Sequence, residues 1–482
     1  MQLSLGLPLG QLPADLLIPA LSSRAFDVEM RTPGSKSLAN RALLLAALAE
    51  GESILRSMPM DADDPRIMQR AVESLGAKVE RLGDGVVRVQ GVGGRWRVPE
   101  TGVTIDVGNA GTVARFIAAS VLLASGPVTI DGTPRMRERP MGQLLEMVAS
   151  LGAKVEFLGR QGCVPVRITP PRDGVKPPPI IDLWTTQSSQ FVSALLQIAP
   201  WLKVPMTVRL HGAITSGSYV AMTLGLLGKL GATVQYSDNM RVMRIASPKA
   251  GEGRASSVFP GIRGSEYDVE PDASGATYFW GAAAMVPGAM CRVVGIGEDS
   301  LQGDSLFPGL LERMGAKVVR RTPMRGGSQP DSDGVTRFIE CHGPATLKPV
   351  LADMSDMPDA VMTLAVVASL ASGASILRGV RTLRVKESDR IAALTRELAK
   401  VGVKIDNPVS GDDDVLTINP PAGGIATHAS VEPVTFDTYD DHRMAMSLAL
   451  IGLRRPGVTI RNPACVGKTY PDFWKHLAAL YA

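Results

Sequence analysis

Six short segments rich in small polar residues, each just ahead of an apolar run, carry most of the reactive side chains. They are Pro33-Gly34-Ser35-Lys36-Ser37, Gly108-Asn109-Ala110-Gly111-Thr112, Gln187-Ser188-Ser189-Gln190, Glu270-Pro271-Asp272-Ala273-Ser274, Asp356-Met357-Pro358-Asp359 and Tyr439-Asp440-Asp441-His442-Arg443. Such residues at a helix start leave backbone N–H groups available, and the helix dipole adds positive potential, so an anion is held there. Any one of them alone reads more readily as an ordinary helix cap. Several together, with cations beside them, point further. Lys36 and Arg41 flank the first segment, Arg135, Arg137 and Arg139 alternate through 134–140, and Arg384, Lys386 and Arg390 lie in 384–390. Arg443 follows His442, and Lys468 opens the last helical stretch. That concentration suits a small, multiply anionic substrate gripped by bidentate and point-charge contacts. Arg137 and Arg384 read as ordinary solvated surface charges.

The elements that position these residues repeat along the chain. Leu75-Gly76-Ala77-Lys78-Val79 returns as Leu151-Gly152-Ala153-Lys154-Val155 and Leu230-Gly231-Ala232-Thr233-Val234, then as Met314-Gly315-Ala316-Lys317-Val318 and Val401-Gly402-Val403-Lys404-Ile405. The five glycines are spaced by 76, 79, 84 and 87 residues, and one more step reaches 471–481, so the chain holds six units. In each phrase an amphipathic helix ends at a glycine and a β-like run follows. These helices open at Asp64-Pro65, Pro140, Ser218, Asp304, Ser388-Asp389 and Thr469. Upstream of each lies a more apolar helix, over 38–49, 113–124, 191–198, 276–285, 360–371 and 444–453, buried on most faces. Short strands such as 128–131, 206–210 and 458–461 follow them. The unit is a mixed α/β repeat, and six of them suggest two domains of three. Pro- or Gly-rich stretches at 164–179, 248–264, 321–334 and 419–424 read as hairpin or surface insertions, and 258–270 as the hinge.

Composition narrows the function. The chain has 482 residues, 45% hydrophobic and 20% charged, with 51 basic against 47 acidic side chains for a formal charge of +4. This is globular, and net charge gives no polyanion-binding surface. Basic runs never exceed two residues and aromatics are 5%, so nucleic acid is not an expected partner. The longest apolar stretches fall short of the roughly 18 residues of a membrane span. Cys163, Cys291, Cys341 and Cys465 form no C-x-x-C pair, and the five histidines have no i,i+4 partner, so no metal site is expected. Ser35 stands where a Walker A motif needs glycine, and no G-x-G-x-x-G occurs. The first basic residue is Arg24, so no positively charged signal region precedes it, and a cytoplasmic protein is expected.

Taken together and in order, Pro33–Ser37 with Asn40-Arg41, 108–112, 134–140, Ser188-Ser189-Gln190, 384–390, 440–446 and Lys468-Thr469-Tyr470-Pro471-Asp472 are recognisable. From about Arg31 onward the chain closely resembles the 5-enolpyruvylshikimate-3-phosphate synthases, a family of enolpyruvyl transferases. The resemblance implies an α/β, two-domain enolpyruvyl transferase fold of six βαβαββ repeats, three per domain, with the active site in the interdomain cleft. The first domain is expected over 34–268 and the second over 1–33 plus 269–482, with hinges near 31–34 and 258–270. Implied too is transfer of the enolpyruvyl group of phosphoenolpyruvate to the 5-hydroxyl of shikimate 3-phosphate, without cofactor or metal, by what is expected to be a monomer.

By the same resemblance Lys36, Ser37, Arg41, Ser188, Ser189, Gln190, Ser216, Asp359, Thr382 and Lys386 hold shikimate 3-phosphate. Lys36, Asn109, Gly111, Thr112, Arg135, Gln190, Arg390, His442, Arg443 and Lys468 hold or line the site for phosphoenolpyruvate. Asp359 is the expected base for the 5-hydroxyl, and Glu387 the expected acid for the methylene carbon, with Lys36 as competitor. Three positions depart from the family pattern. Thr382 replaces the usual Asn, Gly217-Ser218 replaces Lys-Pro after Ser216, and Phe116 replaces a common Pro after Arg115. Phe116 adjoins the Gly111 helix, so altered sensitivity to glyphosate, a phosphoenolpyruvate-site inhibitor, is expected. The alternatives are the sister enzyme acting on UDP-N-acetylglucosamine, whose loop cysteine has no counterpart in 131–140, and a silent metabolite-binding homologue.

Overall fold

The computed structural model describes residues 4–21, 25–178, 180–184, 187–212, 214–248, 261–322, 337–407, 414–422, 424–425 and 432–482. Of the expected insertions, 249–260, 323–334 and residues 179 and 423 lie outside the described residues, as do 258–260 of the expected hinge.

The chain divides into two compact units, an N-terminal one over Gly34–Val269 and a C-terminal one made of Met1–Pro33 with Glu270–Ala482. Among the described residues six small sheets carry the repeats, five of four strands and one of three. The second repeat shows the pattern. Strand Val103–Asp106 runs parallel to Val128–Asp131, which pairs antiparallel with Val166–Thr169, and that strand pairs antiparallel with Lys154–Phe157. A helix follows each of the first two strands, giving βαβαββ.

Chain connectivity between the units explains where the first strands come from. In the first repeat the leading strand is Glu266–Asp268, which arrives after the third repeat and lies parallel to Glu52–Arg56. In the fourth it is Asp27–Met30, supplied from before the first repeat and parallel to Met290–Val294. The sixth sheet has no hairpin of its own. Asp15–Ile18 pairs antiparallel with Val458–Arg461 and takes that place, so this sheet joins both ends of the chain.

One apolar helix per repeat forms the core. We label these α1 (Lys36–Leu48), α2 (Gly111–Ser120), α3 (Ser189–Ile198), α4 (Ala273–Met285), α5 (Val361–Ala368) and α6 (His442–Arg454). All thirteen residues of α4 are buried, as expected of a helix with no polar face. Its middle carries Gly281, where a Cβ would stand 3.0 Å from Thr363 and 3.2 Å from Val367, so glycine permits the close approach of α5. The Thr277 hydroxyl meets Thr363 at 3.1 Å, and Thr363 meets Ser447 at 3.5 Å, which gives the buried hydroxyls of α4, α5 and α6 partners in one another. The outer helices are amphipathic and end at the repeated glycines, all with positive φ: Gly76, Gly152, Gly231, Gly315 and Gly402.

One helix start, the fourth, is displaced from where the sequence pattern sets it. Asp304 does not open the fourth outer helix. It belongs to the 3-10 turn Gly303–Leu306, and the helix runs Phe307–Arg313, because the Asp304 carboxylate turns inward to accept from Ser274. The fifth outer helix starts where the pattern sets it, and Lys386 precedes it. A 3-10 turn covers Arg381–Val385, and the helix begins at Arg390, capped by Asp389, which accepts from the Ala392 N–H at 3.0 Å.

Candidate active site

In the C-terminal unit the fifth and sixth polar segments converge on one carboxylate. Asp359 sits in the 3-10 turn Pro358–Ala360 that opens α5, and is buried. Its Oδ2 accepts from Arg443 at 2.8 Å, and its Oδ1 lies 3.3 Å from Arg390 and 3.6 Å from the Lys386 ammonium. Three cations from two helix starts and one loop therefore meet at Asp359.

Arg390 is the hub. Its guanidinium is 1% exposed, and donates to Asp441 through Nε at 2.8 Å and Nη2 at 3.2 Å, to Glu387 at 3.1 Å and to Asp359 at 3.3 Å. Burial works against the charge, but Asp441, Glu387 and Asp359 outweigh it and hold the guanidinium above its ordinary range. Burial also pushes the Asp441 carboxyl up, and the Arg390 charge and hydrogen bonds pull it further down. Asp441 additionally caps α6, accepting from the Arg443 N–H at 3.0 Å, and accepts from Ser388 at 3.0 Å. Glu387 has Arg390 on one oxygen and Lys468, 3.8 Å away, on the other. Below lies Asp304. Burial and the nearby Asp359 charge push its carboxyl up to about 7, against the hydrogen bond from Ser274.

In the N-terminal unit the first three segments open α1, α2 and α3. Lys36 starts α1, its ammonium 3.6 Å from the buried Asp64 carboxylate. One turn on, Arg41 is buried and reaches across to the third repeat. Nε donates to Thr223 at 2.8 Å, Nη2 to the Tyr219 carbonyl at 3.2 Å and to Ser193 at 3.4 Å, and Nη1 to the Ser37 carbonyl at 2.9 Å. Its guanidinium carbon lies 5.1 Å from the centre of the Phe116 ring. Burial pulls its pKa down to about 10. Arg139 donates to the carbonyl and side-chain oxygens of Asn109 at 3.1 and 3.2 Å. At Gly111 a Cβ would stand 2.6 Å from Arg139 and 2.8 Å from Arg115, so a larger residue at the start of α2 has to displace a buried guanidinium. Ser188 caps α3 and accepts from the Gln190 N–H at 3.2 Å, while Ser216, with φ of +53°, precedes the helix Gly217–Lys229.

The structure thus gathers Asp359, Lys386, Glu387, Arg390, Arg443 and Lys468 in one unit, and sets Lys36, Ser37, Arg41, Asn109, Gly111, Thr112, Ser188, Ser189, Gln190 and Ser216 at helix starts of the other. Other expected residues sit differently. Arg135 is a third exposed and pairs with Glu138 at 2.9 Å. His442 is 1% exposed, with its Nδ1 3.7 Å from Asp441, and burial drives its pKa well below the ordinary histidine value. Thr382 has a buried hydroxyl within the turn Arg381–Val385. The fourth polar segment is held by structural bonds. The Asp272 N–H donates to Pro33 at 2.7 Å, Gln302 caps Ala273 at 3.0 Å, and Glu270 accepts from Ser300 at 2.6 Å. Sequence reasoning counted Arg139 among the motif cations without a role, took Asp64 and Asp304 for helix starts, and gave Asp441 no part beyond its segment. For Asp441 the signal was present, an acid immediately before the His-Arg pair at a helix start. The other three meet their partners only through tertiary packing.

Among solved structures the chain is similar in fold to the enolpyruvyl transferase NikO from Streptomyces tendae, with a TM-score of 0.67 at 20% identity over 97% of this chain and 98% of that one. It is likewise similar to EPSP synthase from Acinetobacter baumannii, with a TM-score of 0.73 at 24% identity over 95% and 96% of the two chains. The fold is that of the enolpyruvyl transferases. In sequence, residues 22–477 match the model of EPSP synthase (3-phosphoshikimate 1-carboxyvinyltransferase). The chain is 37% identical over 459 residues to a 3-phosphoshikimate 1-carboxyvinyltransferase of Trichormus variabilis, covering 95% of this chain and 97% of that protein. It is 37% identical over 449 residues to one of Proteus mirabilis, covering 93% and 95%. The chain belongs to the EPSP synthase family. Among the described residues no helix is long and apolar enough to cross a membrane.

Proposed function

We infer that the chain catalyses its family's reaction: the enolpyruvyl group of phosphoenolpyruvate passes to the 5-hydroxyl of shikimate 3-phosphate, and phosphate is released. It thereby serves aromatic amino acid biosynthesis. The observation that carries the assignment of roles is the convergence of Lys386, Arg390 and Arg443 on Asp359. Both substrates bring phosphate and carboxylate groups, and a cluster of cations already gathered around one carboxylate suits them.

In this reading Asp359 takes the 5-hydroxyl proton while an acid delivers a proton to the methylene carbon of phosphoenolpyruvate. Positive character builds at C2 and the hydroxyl oxygen bonds there; the tetrahedral intermediate then expels phosphate as its methyl group returns a proton to the group that supplied it, which restores the methylene. Glu387 is the acid. Arg390 and Lys468 on its two oxygens favour the carboxylate, and transfer of those cations to the incoming anions leaves Glu387 better able to hold a proton. Lys36 is the competing acid, and it also neutralises charge. Shikimate 3-phosphate is held by Lys36, Ser37, Arg41, Ser188, Ser189, Gln190, Ser216 and Lys386. Phosphoenolpyruvate is held by Lys36, Gly111, Gln190, Arg390, Arg443 and Lys468, with Asn109 and Thr112 lining the same site. Arg135 exchanges Glu138 for substrate when it joins them. In this reading the chain works as a monomer in the cytoplasm.

The test is phosphate release from phosphoenolpyruvate with shikimate 3-phosphate, and separately with UDP-N-acetylglucosamine, as acceptor. Release with shikimate 3-phosphate alone is expected, falling by about 10²–10⁴ in kcat in Asp359→Ala, the range of general base catalysis. Release with the nucleotide sugar alone would overturn the acceptor, and an active Asp359→Ala would overturn the base.

A further inference from the structure

Ahead of residue 22, where the family match begins, the described part of the chain is packed onto one particular loop. Leu5, in the 3-10 turn Ser4–Gly6, is fully buried in the core of the C-terminal unit. Leu9 opens the next turn, Leu9–Gln11, and covers Gly467: a Cβ built on that glycine would stand 2.7 Å from the Leu9 Cδ2. The Ala14 carbonyl then accepts from the Asn462 N–H at 2.8 Å, and Asp15–Ile18 continues as the strand paired with Val458–Arg461. The loop so covered is the 3-10 turn Pro463–Lys468. Its opposite end is tied by Trp474, whose indole donates to the Pro463 carbonyl at 2.9 Å, and beside Gly467 the Tyr470 N–H donates to the Val466 carbonyl at 2.8 Å. Gly467 immediately precedes Lys468, whose ammonium lies 3.8 Å from Glu387.

We propose that residues 5–14 are a positioning element for Lys468, with Leu9 as its contact, and that they set the affinity for phosphoenolpyruvate. The proposal rests on the reading that Lys468 holds that substrate. A buried glycine under a leucine leaves the turn little freedom, so the backbone that aims the Lys468 ammonium is fixed from outside the catalytic repeats. Leu9 acts on the Lys468 backbone through Gly467, and it also packs against the core of its unit. Its loss therefore moves the binding of one substrate while leaving the chemistry to the residues that perform it. Displacement of a catalytic ligand by a fraction of an ångström is enough to register in kinetics.

The test compares Leu9→Ala, Leu9→Met and Gly467→Ala with the parent, reading KM for each substrate, kcat and Tm. Leu9→Ala is expected to raise KM for phosphoenolpyruvate about 3–10-fold, with KM for shikimate 3-phosphate within twofold of the parent. Leu9→Met, which refills the space, is expected to restore it. Gly467→Ala, which pushes Leu9 away from the other side, is expected to shift the same constant in the same direction. Unchanged KM for phosphoenolpyruvate in Leu9→Ala overturns the proposal, as does a parallel rise for both substrates that tracks the loss of Tm. Lys468→Ala separates the two levels. If it leaves KM for phosphoenolpyruvate unmoved, the role assigned to Lys468 has failed; if it raises it while Leu9→Ala does not, the positioning element alone has failed.

Discussion

Arg41 and Arg390 are both fully buried side chains at the heart of their units, yet they are held by opposite chemistry. Arg41 donates to hydroxyl and carbonyl oxygens and lies against an aromatic ring, and burial draws its pKa down to about 10. Arg390 donates to three carboxylates, which raise its pKa past the cost of burial. The difference teaches where each unit stores charge. The N-terminal unit holds a desolvated cation in a frame of neutral dipoles, so an arriving anion gains most of what the site has to give. The C-terminal cluster is paired internally, so under the proposed function a substrate anion there exchanges places with Asp359, Glu387 or Asp441.

The largest expected effect comes from breaking the carboxylate-held arginine. Arg390→Gln leaves Asp441 at 0% side-chain exposure, with Glu387 and Asp359 beside it, without their common cation. Removing one member of a buried pair costs about 3–5 kcal/mol, so urea unfolding is expected to show a loss of that order together with loss of phosphate release. Arg41→Gln removes hydrogen bonds to neutral partners, each worth about 0.5–1.5 kcal/mol, and leaves no buried carboxylate stranded. Its stability loss is expected to be the smaller of the two. Its KM for shikimate 3-phosphate is expected to rise about 10–100-fold, the worth of one charge-assisted contact. Equal destabilisation by the two substitutions, measured side by side, would erase the comparison.

How much of this was legible in the sequence follows from which interactions are local. The six repeats, their mixed α/β character and their apolar helices were legible because each rests on short-range periodicity and on a glycine that closes a helix, as at Gly76 and Gly402, whereas the βαβαββ order came with the family resemblance. Asp359, Lys386, Arg390, Arg443 and Lys468 were legible through the family's motifs, and the structure gathers them. The partners that hold them were not. Asp64 meets Lys36, and Arg139 meets Asn109, only after distant segments fold together. The inward turn of Asp304 was missed for the same reason, since Asp before an apolar run is also an ordinary helix-cap signal. The fourth polar segment reads like the others but makes structural bonds through Thr32, Pro33 and Gln302.

Asp304 sharpens the comparison from beneath the C-terminal cluster. Its folded pKa of about 7 stands above the ordinary 3.8, so the folded chain binds this proton more tightly than the unfolded chain. The associated stability is complete below about pH 3.8 and is lost as pH rises through about 7. Asp304→Asn removes that dependence. Its Tm relative to the parent is expected to climb between pH 5.5 and pH 8.5 by several degrees, about 2–4 °C for each kcal/mol of relief. A constant Tm difference across that range would mean that Asp304 keeps its charge and that the C-terminal cluster is less self-contained than the geometry indicates.

The smallest expected effect lies at Phe116, where the two kinds of restraint on the N-terminal unit can be separated. Its ring faces the Arg41 guanidinium, while its backbone belongs to α2, the helix that starts at Gly111. A cation–π contact is worth about 0.5–2 kcal/mol, so Phe116→Leu, which removes the ring and keeps the helix, is expected to raise KM for shikimate 3-phosphate about 2–30-fold. It is expected to leave the inhibition constant for glyphosate unchanged. Phe116→Pro instead takes away a backbone donor inside α2 and is expected to move that constant, because the start of the helix has to readjust. If Phe116→Leu shifts glyphosate inhibition as strongly as Phe116→Pro does, ring and helix act as one. Arg41 then senses the second site as well, and its neutral frame is no longer a property of acceptor binding alone. If the inhibition constant stays put in Phe116→Pro, this residue has no bearing on the inhibitor, and its place against Arg41 is left as its whole function.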